Sequence, residues 1–459
     1  MMGTKNEQII LGEMIEKIMN SSTNEEYITI YNFYKMKYKF INNYSLLIGT
    51  NDATYADFHL GILSELNSKN FLNSDNSKLI VNHHFADYNN LLYLTKKPKD
   101  EVKYDGSVFI DSNAMNIFES FYNQSTTSEF IKFKIDNNID LNYLPYILED
   151  YINPHHKRKN PEKTFKKITI LEIINNLDKK YYLQNNKFQI DDDLLKQNGF
   201  NSLDELIEDK KFYFQHFIDK KKHKYKKIYL NNSSYFTYQS KQKFDIYSYL
   251  SDFYFIFGHI LDILIEKNKD ISIEKKVQNI LHNMILNGRL LKQILEFAYD
   301  YFEDETKVNK FFNYDMTWDY EKIVQATYNN AWDIFLYSSS QNFITNPINK
   351  YRAEKADLGI SFFLTNDNKF YSSFAKGYMK KLFIINESIG GRPFSVMNEP
   401  TNRSNKVEEI INNYYNSNYD YLINIKNRRG KLLRKNKLYS ISILFKEKME
   451  YELSKWISS

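Results

Sequence analysis

Two apolar segments of the chain each lead into an aspartate, at residues 107–113 and 360–367. Short apolar runs of this kind are typical of buried strands. The ends of parallel strands are where an α/β sheet presents functional side chains. A carboxylate at such an end is costly to bury unless it is compensated, and a divalent cation is a common compensation. The two aspartates, Asp111 and Asp367, therefore predict a metal site built from oxygen ligands.

Two further acids lie between these segments and suit the same chemistry. Nucleases that use two cations hold them with three or four carboxylates from distant parts of the chain, and the cations activate water and neutralise charge on the phosphate. Glu149 follows a short apolar segment, and Asp333 lies in an amphipathic helical pattern. The predicted catalytic acids are Asp111, Glu149, Asp333 and Asp367.

These four regions, taken together, resemble the PIN-like nucleases. Residues 109–113 look like the opening strand motif of that family, and residues 363–370 look like its closing motif. Residues 330–335 are similar to the helix that carries the third acid, and residues 145–149 are similar in place to the second. The resemblance implies a parallel sheet between helices, Mg²⁺ or Mn²⁺ at the acids, and endonucleolytic cleavage, usually of RNA. Standalone nucleases of this family often act in bacterial toxin or anti-phage systems, so the resemblance also implies such a role.

Each residue of the predicted site has a role in this interpretation. Asp111, Asp333 and Asp367 bind the metal directly or through water. Glu149 completes the site or orients the attacking water. The side chains that orient the carboxylates are Ser112, Asn113 and Thr365.

The chain departs from the family pattern in one spacing. Glu149 and Asp333 are 184 positions apart (333 − 149), whereas a compact member needs only a few dozen. Either a helical region is inserted between them or the second acid comes from elsewhere. The substitutes are Asp150, Asp315, Asp319 and Glu321.

The predicted fold class is α/β, a parallel sheet flanked by helices with a large helical insertion and helical flanks. The predicted parts are an N-terminal helical region (1–74), a PIN-like core (75–160 plus 315–385), a helical insertion (161–314) and a basic C-terminal region (386–459). Apolar spacing predicts helices over 5–20, 26–48, 114–122 and 321–338, and predicts mostly helix over 165–310. It predicts strands at 78–81, before Asp111, at 360–364 and at 438–445.

Composition limits the other possibilities. The 459 residues carry a net charge of only +5, which does not by itself indicate a nucleic-acid binder. The absence of cysteine excludes disulfides and thiolate metal sites. Nothing accompanies the histidine pairs 83–84 and 155–156 at zinc-ligand spacing. The chain shows neither a secretory signal nor an apolar segment long enough to span a bilayer, so we predict a cytoplasmic protein without a membrane partner.

Local basic clusters provide candidate contacts to a nucleic acid, either as phosphate ligands or simply as solvated loops. RNA is the predicted partner, with DNA as an alternative. The residues are Lys220, Lys221, Lys222, Arg428, Arg429 and Arg434.

A non-catalytic interpretation of the acids stays open at this point. Asp, Ser and Asn are all good helix N-caps, so residues 111–113 could serve only to begin a helix. The chain would then be a non-catalytic helical protein that binds nucleic acid or another protein. A DNA nuclease is the other alternative, and a protein partner or inhibitor is a further candidate partner.

Overall fold

The computed structural model divides the chain into two compact units. The first unit comprises residues 1–244, 339–368 and 379–398, and the second comprises 245–338, 369–378 and 399–459. The structure describes residues 5–59, 80–83, 90–95, 104–124, 134–135, 139–147, 149, 160–218, 246–308, 311–312, 314–315, 317–341, 358–365, 380–386, 394–397, 402–417 and 438–458.

All strands among these residues belong to the first unit. They are β1 Tyr44–Thr50, β2 Phe58–His59, β3 Ile80–His83, β4 Asn90–Leu94, β5 Tyr104–Ile110, β6 Ile139–Asn142, β7 Leu358–Thr365, β8 Lys380–Asn386 and β9 Phe394–Met397. The helices of the first unit are α1 Lys5–Met19, α2 Asn24–Lys37, α3 Met115–Gln124, α4 Leu144–Ile147, α5 Pro161–Asn175, α6 Lys179–Asn185, α7 Asp192–Gln197 and α8 Leu203–Ile218.

The second unit is built from helices in its described part. They are α9 Ile246–Lys267, α10 Ile273–Leu286, α11 Lys292–Glu303, α12 Tyr320–Gln341, α13 Asn402–Ser417 and α14 Leu438–Ser458. The last residues of α12 lie across the boundary, in the first unit. Between 161 and 314 the described regular elements are helices, with α5–α8 in the first unit and α9–α11 in the second.

One sheet of the first unit has the strand order β3-β7-β5-β6. Strand β5 is central and pairs in parallel with β6 and β7, whereas β3 is antiparallel to β7. The predicted strands before Asp111, at 360–364 and near 80 are therefore confirmed, as is the helix that follows Asp111. The chain is a mixed α/β protein with three parallel strands.

The outer edge of β6 is closed by a side chain from α5. The amide of Asn175 accepts from the Leu141 N–H at 2.8 Å and donates to the Leu141 carbonyl at 3.0 Å. This pair of bonds supplies the backbone groups with the partners that another strand would provide, which protects the edge from pairing with another chain.

A second sheet, not predicted, has the order β2-β4-β1-β8-β9 and is antiparallel. Its central strand β1 is buried at all seven positions. It contributes to a core with α1 and α2, formed by Met14, Ile18, Tyr27, Tyr31, Tyr34, Ile41, Tyr44, Leu46, Ile48, Leu92, Leu94, Leu382 and Ile384.

Two secondary-structure predictions are wrong. The helix expected over 26–48 ends at Lys37, and β1 occupies 44–50. The strand expected at 438–445 is the start of α14. In α14 the buried residues Phe445, Met449 and Leu453 recur every four positions, which is the helical period, and α14 packs against α9.

Helices α9 and α14 approach closely at Gly258. A Cβ atom added there would lie 2.7 Å from Cδ1 of Phe445, closer than real contacts allow. The neighbouring His259 is fully buried, with its ring centroid 4.6 Å from that of Phe445. One turn further along α9, Asp262 accepts a hydrogen bond from Asn283 of α10 at 2.9 Å.

Among the described residues, none of the helices combines the length and apolar character needed to cross a bilayer.

Candidate functional site

Asp111 and Thr365 meet at the carboxyl ends of two neighbouring parallel strands. Asp111 directly follows β5, and Thr365 is the last residue of β7. The Asp111 N–H donates to the Leu364 carbonyl at 2.9 Å, which extends the ladder one residue beyond the strand. Because Ile110 pairs with Leu364, the next position places Asp111 opposite Thr365.

The carboxylate of Asp111 is held on both of its oxygens. Oδ1 accepts from the Ser112 N–H at 2.7 Å, and Oδ2 accepts from the Thr365 hydroxyl at 2.7 Å. Asp111 is only 4 % exposed and Thr365 only 1 %. Short bonds of this kind, made to a charged acceptor, fix the orientation of a carboxylate. Two of the three residues predicted to orient it, Ser112 and Thr365, therefore contact it, Ser112 through its backbone.

The bond from Ser112 also makes Asp111 the N-cap of a short 3-10 helix, Ser112–Ala114. The capping interpretation is thus correct for one carboxylate oxygen. A cap does not require the second bond, which joins residues 254 positions apart in sequence. Asn113 lies within this 3-10 helix.

Glu149 belongs to the same unit and follows a helix that packs against β5. Strand β6 ends at Asn142, and the Ile147 N–H donates to the Tyr143 carbonyl at 3.1 Å as α4 begins. Helix α4 contacts β5, the strand that leads to Asp111. Glu149 is half-buried, and its Oε2 atom is closed to solvent. Glu149 therefore lies two residues beyond a helix that contacts the strand of the first acid.

The other predicted ligands lie in the second unit or outside the described residues. Asp333 is half-buried on α12, in the second unit. Asp367 lies outside the described residues, and so do the predicted phosphate contacts Lys220, Lys221, Lys222, Arg428, Arg429 and Arg434. That these side chains share a site with Asp111 stays a prediction.

Two of the four substitutes for the second acid are held by local bonds, Asp315 in a turn and Asp319 at a helix start. Asp315 accepts from the Thr317 N–H at 2.9 Å and from its hydroxyl at 2.8 Å, and these bonds lower the pKa of Asp315. Asp319 accepts from the Lys322 N–H at 2.7 Å at the start of α12. Glu321 lies in the first turn of α12, where the helix dipole favours an acid. Asp150 lies outside the described residues.

A buried polar chain connects the end of β6 to helices α5 and α8, and the sequence interpretation missed it. The Tyr143 hydroxyl donates to Oε1 of Glu172 at 2.6 Å. The Lys210 ammonium lies 3.7 Å from the same oxygen and 3.8 Å from Asp209. Glu172 and Lys210 are 4 % and 3 % exposed. The available signal was a glutamate inside the apolar run 168–174, which is a position where an acid requires a partner.

In the part of the chain that is described, no three His, Asp or Glu side chains are close enough to hold a metal ion. The oxygen donors at the β5 edge are carboxylate and hydroxyl groups, which suit Mg²⁺ or Mn²⁺ better than zinc. In comparisons with protein-family models, curated proteins and solved structures, no protein matches this chain.

Replacing Thr365 with valine tests how firmly the edge of the sheet is held. Valine keeps the branched shape but cannot donate, so Oδ2 of Asp111 loses its hydroxyl partner. We expect a loss of about 1.5–3 kcal/mol in local unfolding free energy, the range for hydrogen bonds to charged groups. Hydrogen exchange of peptides that cover β5 and β7 measures it. Thr365→Ser, which keeps the hydroxyl, should retain most of the protection, and equal exchange in both variants would contradict the expectation.

Proposed function

We propose that this chain is a metal-dependent endoribonuclease whose first metal ligand is Asp111. The observation that supports the proposal is the bond between Asp111 and Thr365 across the ends of two parallel strands. It provides an oriented, buried carboxylate where α/β sheets usually place their functional groups. The packing of α4 against β5 adds Glu149 as a candidate second ligand.

The proposed site consists of acids that hold Mg²⁺ or Mn²⁺. Asp111 and Asp367, with Asp333 and Glu149, would provide its carboxylates. When bound, the cation supplies an activated water and neutralises charge on the scissile phosphate. The Ser112 N–H and the Thr365 hydroxyl keep the Asp111 carboxylate in one orientation. The basic clusters at 220–222 and 428–434 would contact the phosphates of RNA, and a role in toxin or anti-phage defence belongs to the same proposal.

The substitution Asp111→Asn distinguishes a metal-ligand role of Asp111 from a role as helix cap only. Asparagine caps helices about as well as aspartate, so the bond from the Ser112 N–H can be retained. A ligand role, however, requires the negative charge. Because loss of a group that merely orients a metal ligand already costs about 10–100-fold, we expect the Asn variant to lose more than about 100-fold in cleavage.

The experiment uses labelled RNA and DNA of the same sequence with Mn²⁺, Mg²⁺ or EDTA. Cleavage of RNA with metal, abolished by EDTA and by Asp111→Asn or Asp367→Asn, is the expected result. Faster cleavage of DNA would instead indicate a DNA nuclease. If neither polymer is cut under any condition, Asp111 acts as a cap and the chain is a non-catalytic binding protein. Cleavage that survives both substitutions would mean that other acids carry the reaction.

A further inference from the structure

The outward face of α2 exposes apolar side chains that the core does not use. Tyr27, Tyr31 and Tyr34 point into the first unit and are at most 3 % exposed. On the opposite side, Phe33 is 49 % exposed and Met36 is 82 % exposed. Exposed apolar side chains that are rimmed by charged residues often mark an interaction site, so this face is a candidate for one.

Lysine ammonium groups lie near aromatic rings on this face and beside it. The Lys37 ammonium lies 5.6 Å from the ring centroid of Phe33 and 5.2 Å from that of Tyr38. From α1, the Lys17 ammonium lies 5.4 Å from the ring of Tyr34, which itself contacts Phe33 edge-on at 5.5 Å. We call Lys17, Phe33, Met36, Lys37 and Lys39 the α2 surface.

Beyond the first turn of α2, which carries Glu25 and Glu26, the charge along the chain has a single sign. Between positions 27 and 51 the chain has three lysines and no aspartate or glutamate. Lysines near the end of a helix also complement its dipole, and Lys35 donates to the Thr95 carbonyl at 3.3 Å. That explanation accounts for Lys35 but not for the exposure of Phe33 and Met36. A polyanion with flat apolar faces would pair with the lysines and stack on the exposed aromatic ring.

We propose that the α2 surface binds a single-stranded nucleic acid. Phe33 stacks on an unpaired base, and Lys17, Lys37 and Lys39 contact the flanking phosphates. Stacking on an exposed ring requires a base that is free of its complement, which selects single strands over duplexes. The inference extends the proposed nuclease by giving it a substrate contact, and in that sense it rests on the proposed function.

The test measures binding of a labelled 12-nucleotide single strand to the full chain by fluorescence anisotropy, in EDTA so that nothing is cleaved. Phe33→Ala should weaken binding about 5- to 150-fold, the range for loss of one stacked base. Lys37→Gln and Lys39→Gln should each reduce the slope of log affinity against log salt by about 1. RNA and DNA strands of one sequence show which polymer is preferred, and a duplex should bind more weakly than either.

Helix α14 provides a matched control. There the Lys455 ammonium lies 4.3 Å from the ring of Tyr451, which is 58 % exposed, but acids alternate with the lysines along this helix. Tyr451→Ala and Lys455→Gln should leave binding unchanged. Equal losses in both sets of variants, unchanged binding of Phe33→Ala, or a duplex bound as tightly as the single strand would overturn the proposal.

The failure of this inference differs from failure of the nuclease proposal. A chain that cleaves RNA with metal but whose affinity is unaffected by Phe33→Ala would retain the nuclease proposal and refute this one. A chain that binds the strand through Phe33 but never cleaves RNA would retain this inference and refute the nuclease proposal.

Discussion

Glu172→Gln is expected to lower the local unfolding free energy around α5 and α8 by about 3–5 kcal/mol, the cost of leaving a buried charge without its partner. The Lys210 ammonium is 3.7 Å from Glu172, and in the described part of the chain it makes no hydrogen bond. A neutral amide cannot balance that charge. Asp209 is a poorer partner, since burial raises its pKa although Lys210 opposes the effect.

Hydrogen exchange of peptides from 161–175 and 203–218 measures this loss locally, which avoids treating a chain of two units as a single cooperative transition. The matched control is Glu208→Gln, since Glu208 pairs with Lys211 at 3.4 Å but is 72 % exposed. Ion pairs on the surface contribute little to stability, so hydrogen exchange in this control should be nearly unchanged. If Glu172→Gln also leaves exchange unchanged, Lys210 does not depend on Glu172.

Removing the whole polar chain should be less harmful than removing one member. In the triple variant Lys210→Met, Glu172→Leu and Tyr143→Phe, all three buried polar groups are removed together, and the half-buried Asp209 loses its contact to Lys210. Apolar replacement of complete buried ion pairs is often neutral or stabilising. Exchange protection in the triple variant should therefore exceed that of Glu172→Gln alone, and lower protection would contradict the ion-pair explanation.

The contact between Asp111 and Thr365 could be predicted because it depends on local patterns that are strong. Each residue follows a short apolar run, and parallel strands bring their carboxyl ends to one edge of a sheet. For buried polar groups that lie farther from a strand end, the sequence pattern is a weaker indication of burial. Lys210 lies in an ordinary charged helix sequence, and only the packing of α8 against α5 makes it a buried charge.

Strand β1 could not be separated from a helix by its pattern. All seven of its residues are buried, so it shows no alternation. The tyrosines before it, at 27, 31, 34 and 38, have a helical spacing that extends past the end of α2. The opposite error occurred at the start of α14, where a strand was predicted and the structure has a helix. Ser440 and Ser442 alternate with isoleucines, as in a strand. The burial of Phe445, Met449 and Leu453 at every fourth position, and the packing of α14 against α9, are those of a helix.

The stability of the second unit is expected to fall as the pH decreases below about 6.5, because His259 is buried without its charge. Burial lowers the pKa of His259 below its ordinary value of 6.5, and Asp262, 3.6 Å from Nδ1, opposes the shift only in part. Below pH 6.5 the unfolded chain binds a proton that the folded unit takes up only at lower pH. The contribution of His259 to the stability of the second unit is therefore fully present above about pH 6.5. Below that pH the free energy of unfolding falls by at most about 1.4 kcal/mol per pH unit.

His259→Met should remove this acid dependence between about pH 6.5 and pH 5, a range above the ordinary pKa of the carboxylates. Methionine fills the space between the rings of Phe255 and Phe445 with a side chain that never takes up a proton. Within the described residues neither ring nitrogen of His259 has a hydrogen-bond partner, so the variant should be at least as stable at pH 7. Hydrogen exchange of peptides from 246–267, measured at several pH values, gives the slope of stability against pH.

His282→Gln is the control, since Nδ1 of His282 already contacts the Tyr414 hydroxyl at 2.5 Å. The slope of stability against pH should be unchanged in this variant. A slope that persists in His259→Met would assign the acid dependence to another group.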